Sequence, residues 1–362
     1  MQIIEDRRAL HRIPELCWDL SETMNYLNHA LAGLNCTLLV PVEGSLCAWF
    51  DFGAETAIAF RADCDALPIT ENTGESFTSV HEGKMHACGH DGHMAILLEL
   101  ARRLSTKQNL RHNVLLIFQP GEESPGGAKV ICDTGLLEAY RVTAVFGLHL
   151  WPGLEKGTVF TRKEELMARS SEVTVDVYGK STHIANSAGG LDALPAAIAF
   201  YRNARALEQS LPADVFRLLN FGQFHSGTAR NALSAHAHLE GSLRTFRDEI
   251  FDTLRQGLYR IAEEVEQCTG CTVDIHLSEG YPAVLNSGDL VERIAQKLPL
   301  RLLEAPSMTS EDFSYYRKHV PGVFFFLGLG DAPALHSANF RFDESILLKG
   351  ADFFEKLAET LP

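Results

Sequence analysis

Four short segments concentrate side chains that bind metal ions or move protons. They are Met85-His-Ala-Cys-Gly-His-Asp-Gly-His93, Gln119-Pro-Gly-Glu-Glu123, Gly147-Leu-His149-Leu-Trp-Pro152 and Leu335-His336-Ser-Ala338. A fifth, Arg61-Ala-Asp63-Cys-Asp65, adds two carboxylates. A thiolate, imidazoles and a carboxylate form a shell suited to zinc, with manganese, cobalt and nickel also accommodated. Cys88 and His90 stand two apart in a glycine-containing loop, where both can turn toward one point; on a helix they would diverge. The adjacent Glu122 and Glu123 divide naturally into two jobs, one coordinating and the other free to take a proton from water. A bound divalent ion can bring that water's pKa to about 7, which makes hydroxide available at neutral pH. A single histidine is usually structural and a glutamate pair usually solvated. Five candidate ligands spread over four segments make that bland account a poor one.

These segments need elements to bring them together. Apolar runs rich in β-branched and aromatic residues recur at Leu46–Phe52, Thr56–Phe60, Asn113–Phe118 and Val142–Leu148, with a helical pattern at Gly92–Leu104. Alternating strand and helix predict an α/β domain with a mainly parallel sheet. Asp63, the glutamate pair and His149 each fall near the carboxyl end of a predicted strand, the edge where such sheets form their crevices. Beyond Ser170 the pattern changes. Glu172–Tyr178 alternates as a half-solvated strand. A helix at about Asp192–Ser210 follows, then strands near Val215–Phe224 and Ala235–Leu243, a helix near Asp248–Cys268 and a strand at Cys271–Leu277. That β-α-β-β-α-β order is ferredoxin-like. The α/β pattern resumes near Gly280, with a strand at Val323–Leu329 and a helix at Ser345–Leu361. The expected organisation is a catalytic domain of residues 1–168 and 280–362 carrying an inserted α+β domain, 169–279.

Composition sets outer limits. The 362 residues carry 32 Lys+Arg against 47 Asp+Glu, a net charge of −15, which makes nucleic acid an unsuitable partner. No apolar run approaches the roughly 18 residues of a membrane span, and the charged N-terminus lacks a signal-peptide core, so a cytoplasmic location is expected. The eight cysteines are scattered, and Cys268-Thr-Gly-Cys271 follows a helical pattern where redox C-x-x-C motifs open one. Buried thiols are expected there.

Together the motifs resemble the co-catalytic metallopeptidases and amidohydrolases of the aminoacylase type. The closest branch holds bacterial aminoacylases, hippurate hydrolases, auxin-conjugate hydrolases and N-acetyldiaminopimelate deacetylases. The likeness runs almost end to end: Arg8-Ala-Leu-His-Arg-Ile-Pro-Glu15, Arg61-Ala-Asp-Cys-Asp-Ala-Leu-Pro68, Met85-His-Ala-Cys-Gly-His-Asp91, Phe118-Gln-Pro-Gly-Glu-Glu123, Gly126-Gly-Ala128, Gly179-Lys180 with His183, Glu240-Gly-Ser-Leu-Arg-Thr245 and Ser310-Glu-Asp-Phe313. The resemblance implies a two-metal site, of zinc or manganese first and cobalt or nickel second, ligated by Cys88, His90, Glu123, His149 and His336, with Glu122 the general base. It implies orienting roles for Asp63, Asp65 and Asp91. In the inserted domain, a lid through which two copies pair as a homodimer, it places His183, Asn231 and Arg244 on substrate; His183 would enter the partner subunit's site and Arg244 would face a carboxylate. Two positions depart from the pattern. Cys64 stands where the family usually has Met, and Ile184-Ala-Asn-Ser-Ala-Gly-Gly190 replaces the usual Ala-Ala-x-Pro-His after the lid histidine.

The expected activity is hydrolysis of the amide of an N-acyl amino acid, N-acetyl or N-aroyl. A dipeptidase or carboxypeptidase, or an N-acetyldiaminopimelate deacetylase specifically, would use the same metal site. The rivals differ in the pocket: a free amine needs a carboxylate partner, an acyl chain an apolar lining. A catalytically silent metal-binding relative would have little reason to keep Glu122 beside a full ligand set, and a scaffold role would require an exposed apolar patch.

Overall fold

The computed structural model describes residues 1–361. The chain forms two compact units, one of Met1–Leu166, Val284–Ala305 and the stretch from Asp312 onward, the other of Met167–Ala283 and Pro306–Glu311. Segment 306–311 joins the second unit because Ala168 N–H donates to the carbonyls of Ser307 (3.1 Å) and Thr309 (2.8 Å).

In the first unit an eight-stranded sheet runs, in spatial order, Thr37–Leu39, Leu46–Phe50, Asn113–Gln119, Ala57–Asp63, Val142–Trp151, Gly322–Gly328, Val159–Thr161 and Arg301–Leu302. The four central strands, 113–119, 57–63, 142–151 and 322–328, are parallel to their neighbours within that group. Three of them are buried along their whole length, as continuous apolar runs covered on both faces should be. The helix His90–Ser105 hides almost every side chain and packs between the helices Gln2–Arg12 and Leu347–Thr360. Close approach there depends on glycine: a Cβ on Gly92 would lie 2.7 Å from Leu150 Cδ1, and one on Gly350 2.7 Å from Ile96 Cδ1.

Two boundaries differ from the sequence expectation in a way that matters for the site. The helix starts at His90, not Gly92, because Gly89 caps it in the left-handed region, φ +87°. The strand Ala57–Asp63 extends past Phe60 and ends on Asp63, which pairs in register with Gln119 of the next strand. The carboxyl ends of three parallel strands therefore lie side by side, delivering Asp63, the loop after Gln119, and His149.

The second unit is an antiparallel sheet in the order Thr272–Leu277, Arg169–Tyr178, His236–Thr245, Arg217–Ser226. Two helices, Ala193–Ser210 and Asp248–Thr269, cover one face. Strand alternation sorts the faces: Val173, Val175, Val177, Ala237, Leu239 and Leu243 are buried under the helices, while their sequence neighbours stay wholly or partly exposed. The order of elements is the β-α-β-β-α-β arrangement expected. Cys268 lies in the last turn of the longer helix, which Gly270 caps at φ +73°; it faces solvent and so is exposed against the buried thiol expected, while Cys271 is buried, and both are free thiols. Among the described residues no helix is long and apolar enough to cross a membrane.

Candidate metal centre

The centre is built by hydrogen bonds that use one nitrogen of a histidine and leave the other bare. His90 Nδ1 lies 2.7 Å from the backbone carbonyl of Asp65, and His149 Nδ1 lies 2.7 Å from that of Leu150. A carbonyl only accepts, so both Nδ1 atoms carry a proton and Nε2 is the nitrogen each ring can offer to a cation. His149 Nε2 faces Cys88 Sγ at 3.4 Å. His90 Nε2 is buried with no hydrogen-bond partner. Such an orphan is costly unless something else binds it. Glu123 Oε1 lies 4.0 Å from His90 Nε2 and 3.3 Å from His336 Nε2.

The donor atoms fall into overlapping groups within 4.8 Å: Cys88, His90 and His149 form one, Cys88, Glu123 and His336 a second, and His90, Glu122 and Glu123 a third. The five side chains expected as ligands thus converge from four segments, with Glu122 beside them. A soft thiolate with imidazoles fits a borderline cation such as Zn²⁺, and the carboxylates would also suit a harder ion such as Mn²⁺. The local electrostatics also favour positive charge. Burial, then the carboxylates of Glu123, Glu122 and Asp63, push the Cys88 thiol well above its ordinary range. For His90 burial works against charge, but Asp63, Asp65 and Glu123 outweigh it and raise the imidazole to about 8. A divalent cation would satisfy this surplus of negative charge and displace the His90 proton.

Asp65 holds the glutamate pair in place. Its Oδ1 accepts from Glu122 N–H (2.9 Å) and its Oδ2 from Glu123 N–H (3.1 Å), while its own carbonyl anchors His90. His336 reaches the centre from a left-handed backbone, φ +62°, with its N–H on the Ala87 carbonyl at 2.9 Å. A non-glycine residue pays about 1–3 kcal/mol for that conformation. Asp63 faces three nitrogens: Arg61 Nη1 at 2.7 Å, His93 Nδ1 at 2.6 Å and His90 Nε2 at 3.8 Å. His93 lies among the candidate ligands but has no lone pair to offer, since its Nε2 accepts from Leu150 N–H (2.9 Å). Asp91 points elsewhere, 2.8 Å from both Arg7 Nε and His11 Nδ1, and ties the N-terminal helix to His90–Ser105.

The model of peptidase family M20/M25/M40 matches residues 59–360. An uncharacterized hydrolase of Staphylococcus haemolyticus is 33% identical over 98% of this chain and 97% of its own. Among solved structures, the YXEP protein of Bacillus subtilis, described as a dinuclear metal binding peptidase from the M20 family, superposes with a TM-score of 0.85 at 29% identity, covering 99% and 96% of the two chains. An aminobenzoyl-glutamate utilization protein from Klebsiella pneumoniae shares the fold at 19% identity and a TM-score of 0.67, over 100% and 96%. The chain belongs to peptidase family M20/M25/M40.

In this M20 hydrolase the remaining expected residues lie in the second unit. His183 caps the 3₁₀ turn Ile184–Gly189, its Nδ1 accepting from Ala185 N–H at 3.2 Å. Asn231 is its neighbour: the Asn231 carbonyl takes Ile184 N–H at 3.0 Å, and His183 bridges Ala232. The unusual 184–190 segment therefore folds as a turn closed by Gly190, where a Cβ would come 2.5 Å from Thr182 Oγ1. Arg244 is half-buried in its strand and donates to Ser242 Oγ (3.0 Å) and the Met308 carbonyl (3.2 Å).

One cluster was not assigned from the sequence. Asp312 is fully buried; its Oδ1 accepts from Arg61 Nη2 (2.8 Å), and its Oδ2 accepts from Gln119 Nε2 (2.8 Å) and from the N–H groups of Gly127 and Ala128 (2.9 Å each). It closes both ends of the loop that carries Glu122 and Glu123. The only sequence signal was the Ser310-Glu-Asp-Phe313 motif, which names the residue without its partners. We expect Asp312→Ala to take the buried acceptor from Arg61 Nη2, Gln119 Nε2 and the Gly127 and Ala128 N–H groups at once, and to cost about 3–5 kcal/mol of stability although Arg61 keeps Asp63. Chemical denaturation measures this, and a loss below about 1 kcal/mol, no more than an exposed ion pair contributes, would show that the cluster braces nothing.

Proposed function

We propose that this M20 hydrolase cleaves the amide of N-acyl amino acids at a pair of divalent ions held by Cys88, His90, Glu123, His149 and His336. The observation that carries this reading is the pair of donor groups that share Cys88, with a second glutamate alongside. Ions bound there would polarise the scissile carbonyl and lower the pKa of water. Glu122, held by the Asp65 carboxylate through its own backbone N–H, takes the proton from the attacking water and delivers it to the departing amine nitrogen. Asp63 keeps His90 and His93 in a negative field and so holds the imidazole edge of the site. His183 and Asn231, adjacent in their unit, are assigned to the substrate's polar atoms. Short peptides are the second reading, supported by the description of the Bacillus subtilis relative as a peptidase. A panel of N-acetyl, N-benzoyl and longer N-acyl amino acids against dipeptides, with manganese, zinc or cobalt added, separates the two.

For Glu122→Gln we expect metal content to hold while kcat falls about 10²–10⁴-fold, because an amide cannot accept the proton. Activity within a few-fold of wild type, with elemental analysis unchanged, would remove Glu122 from the role.

Arg244 is assigned to the substrate's free α-carboxylate. Its two hydrogen bonds go to a hydroxyl and a carbonyl, so the guanidinium charge has no carboxylate within ion-pair distance among the described residues. A charge-assisted hydrogen bond contributes roughly 1.5–3 kcal/mol, so Arg244→Ala should lower kcat/KM on the order of 10- to 150-fold. The loss should shrink on a substrate whose carboxylate is a neutral amide; equal losses on both would make Arg244 a structural residue.

A homodimer through the second unit is part of the same proposal. Leu194, Ile198 and Tyr201 lie exposed at i, i+4 and i+7 of one helix, and Arg217–Ser226 is an open sheet edge. Sedimentation should give a dimer mass that Ile198→Asp converts to monomer. A wild-type monomer at every concentration in an active sample would count against the pairing.

A further inference from the structure

We propose that the open face of the four-stranded sheet carries a separate transition-metal site formed by Asp176, His236 and His238. His236 and His238 stand two apart on one strand and so share a face, and Asp176 is the register partner of His238 on the adjoining strand. That face is the one turned away from the helices, since Ala237 and Leu239 between and beside the histidines are fully buried. The three donor atoms lie within 4.8 Å of one another. His236 Nε2 is 2.7 Å from Asp176 Oδ1, and His238 Nδ1 is 2.8 Å from the same oxygen.

Two features go beyond three polar groups meeting at a surface. The far nitrogen of His238 is already engaged: its Nε2 lies 3.2 Å from Glu240 Oε1. A carboxylate accepting the outer N–H of a ligating histidine is the arrangement that orients the ring and strengthens it as a donor. His236 is held by Tyr178, whose ring stacks on it at 5.1 Å and 22°. Without a metal, both nitrogens of His238 face carboxylate oxygens, an arrangement that favours the imidazolium. On binding, its Nδ1 proton leaves to solvent, the ion takes that position against the Asp176 carboxylate, and the Nε2–H stays on Glu240. His236 binds through Nε2 after shifting its proton to Nδ1.

Two imidazoles and one carboxylate select Cu²⁺, Zn²⁺ or Ni²⁺ over Mg²⁺ or Ca²⁺, with further positions open to water. No residue of this set belongs to the centre of the first unit, so occupancy of the two can be measured independently. The test uses the full-length enzyme with its catalytic centre loaded, dialysed against micromolar free Zn²⁺ and analysed for metal per chain. The wild type should hold one more zinc than the His236→Ala/His238→Ala double variant, which keeps its hydrolytic activity. Glu240→Gln should bind that extra ion about 10- to 100-fold more weakly. Equal zinc content in wild type and double variant, or an extra ion that appears only at millimolar free zinc, would overturn the proposal.

Discussion

The first unit depends on how its buried imidazoles are anchored. His90 and His149 each donate Nδ1–H to a backbone carbonyl, so the ring orientation and the choice of Nε2 as the nitrogen turned to the centre are settled by the main chain before any ion arrives. His93 spends both nitrogens within the protein and is a brace. The difference between an available and an occupied imidazole in this cluster is therefore one hydrogen bond from Leu150 N–H. One residue, Leu150, supplies both the carbonyl that orients His149 and the amide that occupies His93.

Carboxylates with no free role in chemistry hold the rest of the centre. Asp65 fixes the two glutamates by their backbone, and Asp312 fixes the end of the same loop while neutralising Arg61. Burial raises the Asp65 carboxyl to about 7 despite His90 nearby, a sign of how little solvent reaches it. The loop needs glycine where it folds back: a Cβ on Gly127 would sit 1.8 Å from the Pro120 carbonyl. The glutamates can lie at a fixed point in space because their loop has no slack.

The second unit uses the same covalent alphabet differently. Its sheet buries aliphatic side chains on one face and leaves the other rich in Asp, Glu and His. On an open face such groups keep their hydration and pair with each other, whereas in the first unit the same residue types are stripped of water and left with unmet valences. Burial separates a cluster whose members can satisfy one another until an ion displaces them from a centre where a buried donor has no other partner.

The amino-acid sequence by itself determined the order of elements, the inserted β-α-β-β-α-β segment and the residue types of the centre. Periodicity and ligand spacing are local properties, readable one stretch at a time. It could not show that the helix opens on His90, because that depends on Gly89 adopting a left-handed conformation that only the packed neighbourhood selects. Nor could it tell His93 from His90, three residues apart on one helix, since their difference is a single amide from residue 150. Asp312 was legible only as part of a motif, and Asp91 was expected at the site but binds Arg7 and His11. Hydrogen-bond partners distant in sequence decide what a buried polar side chain does, and those partners exist only once the sheet has brought its strand ends together.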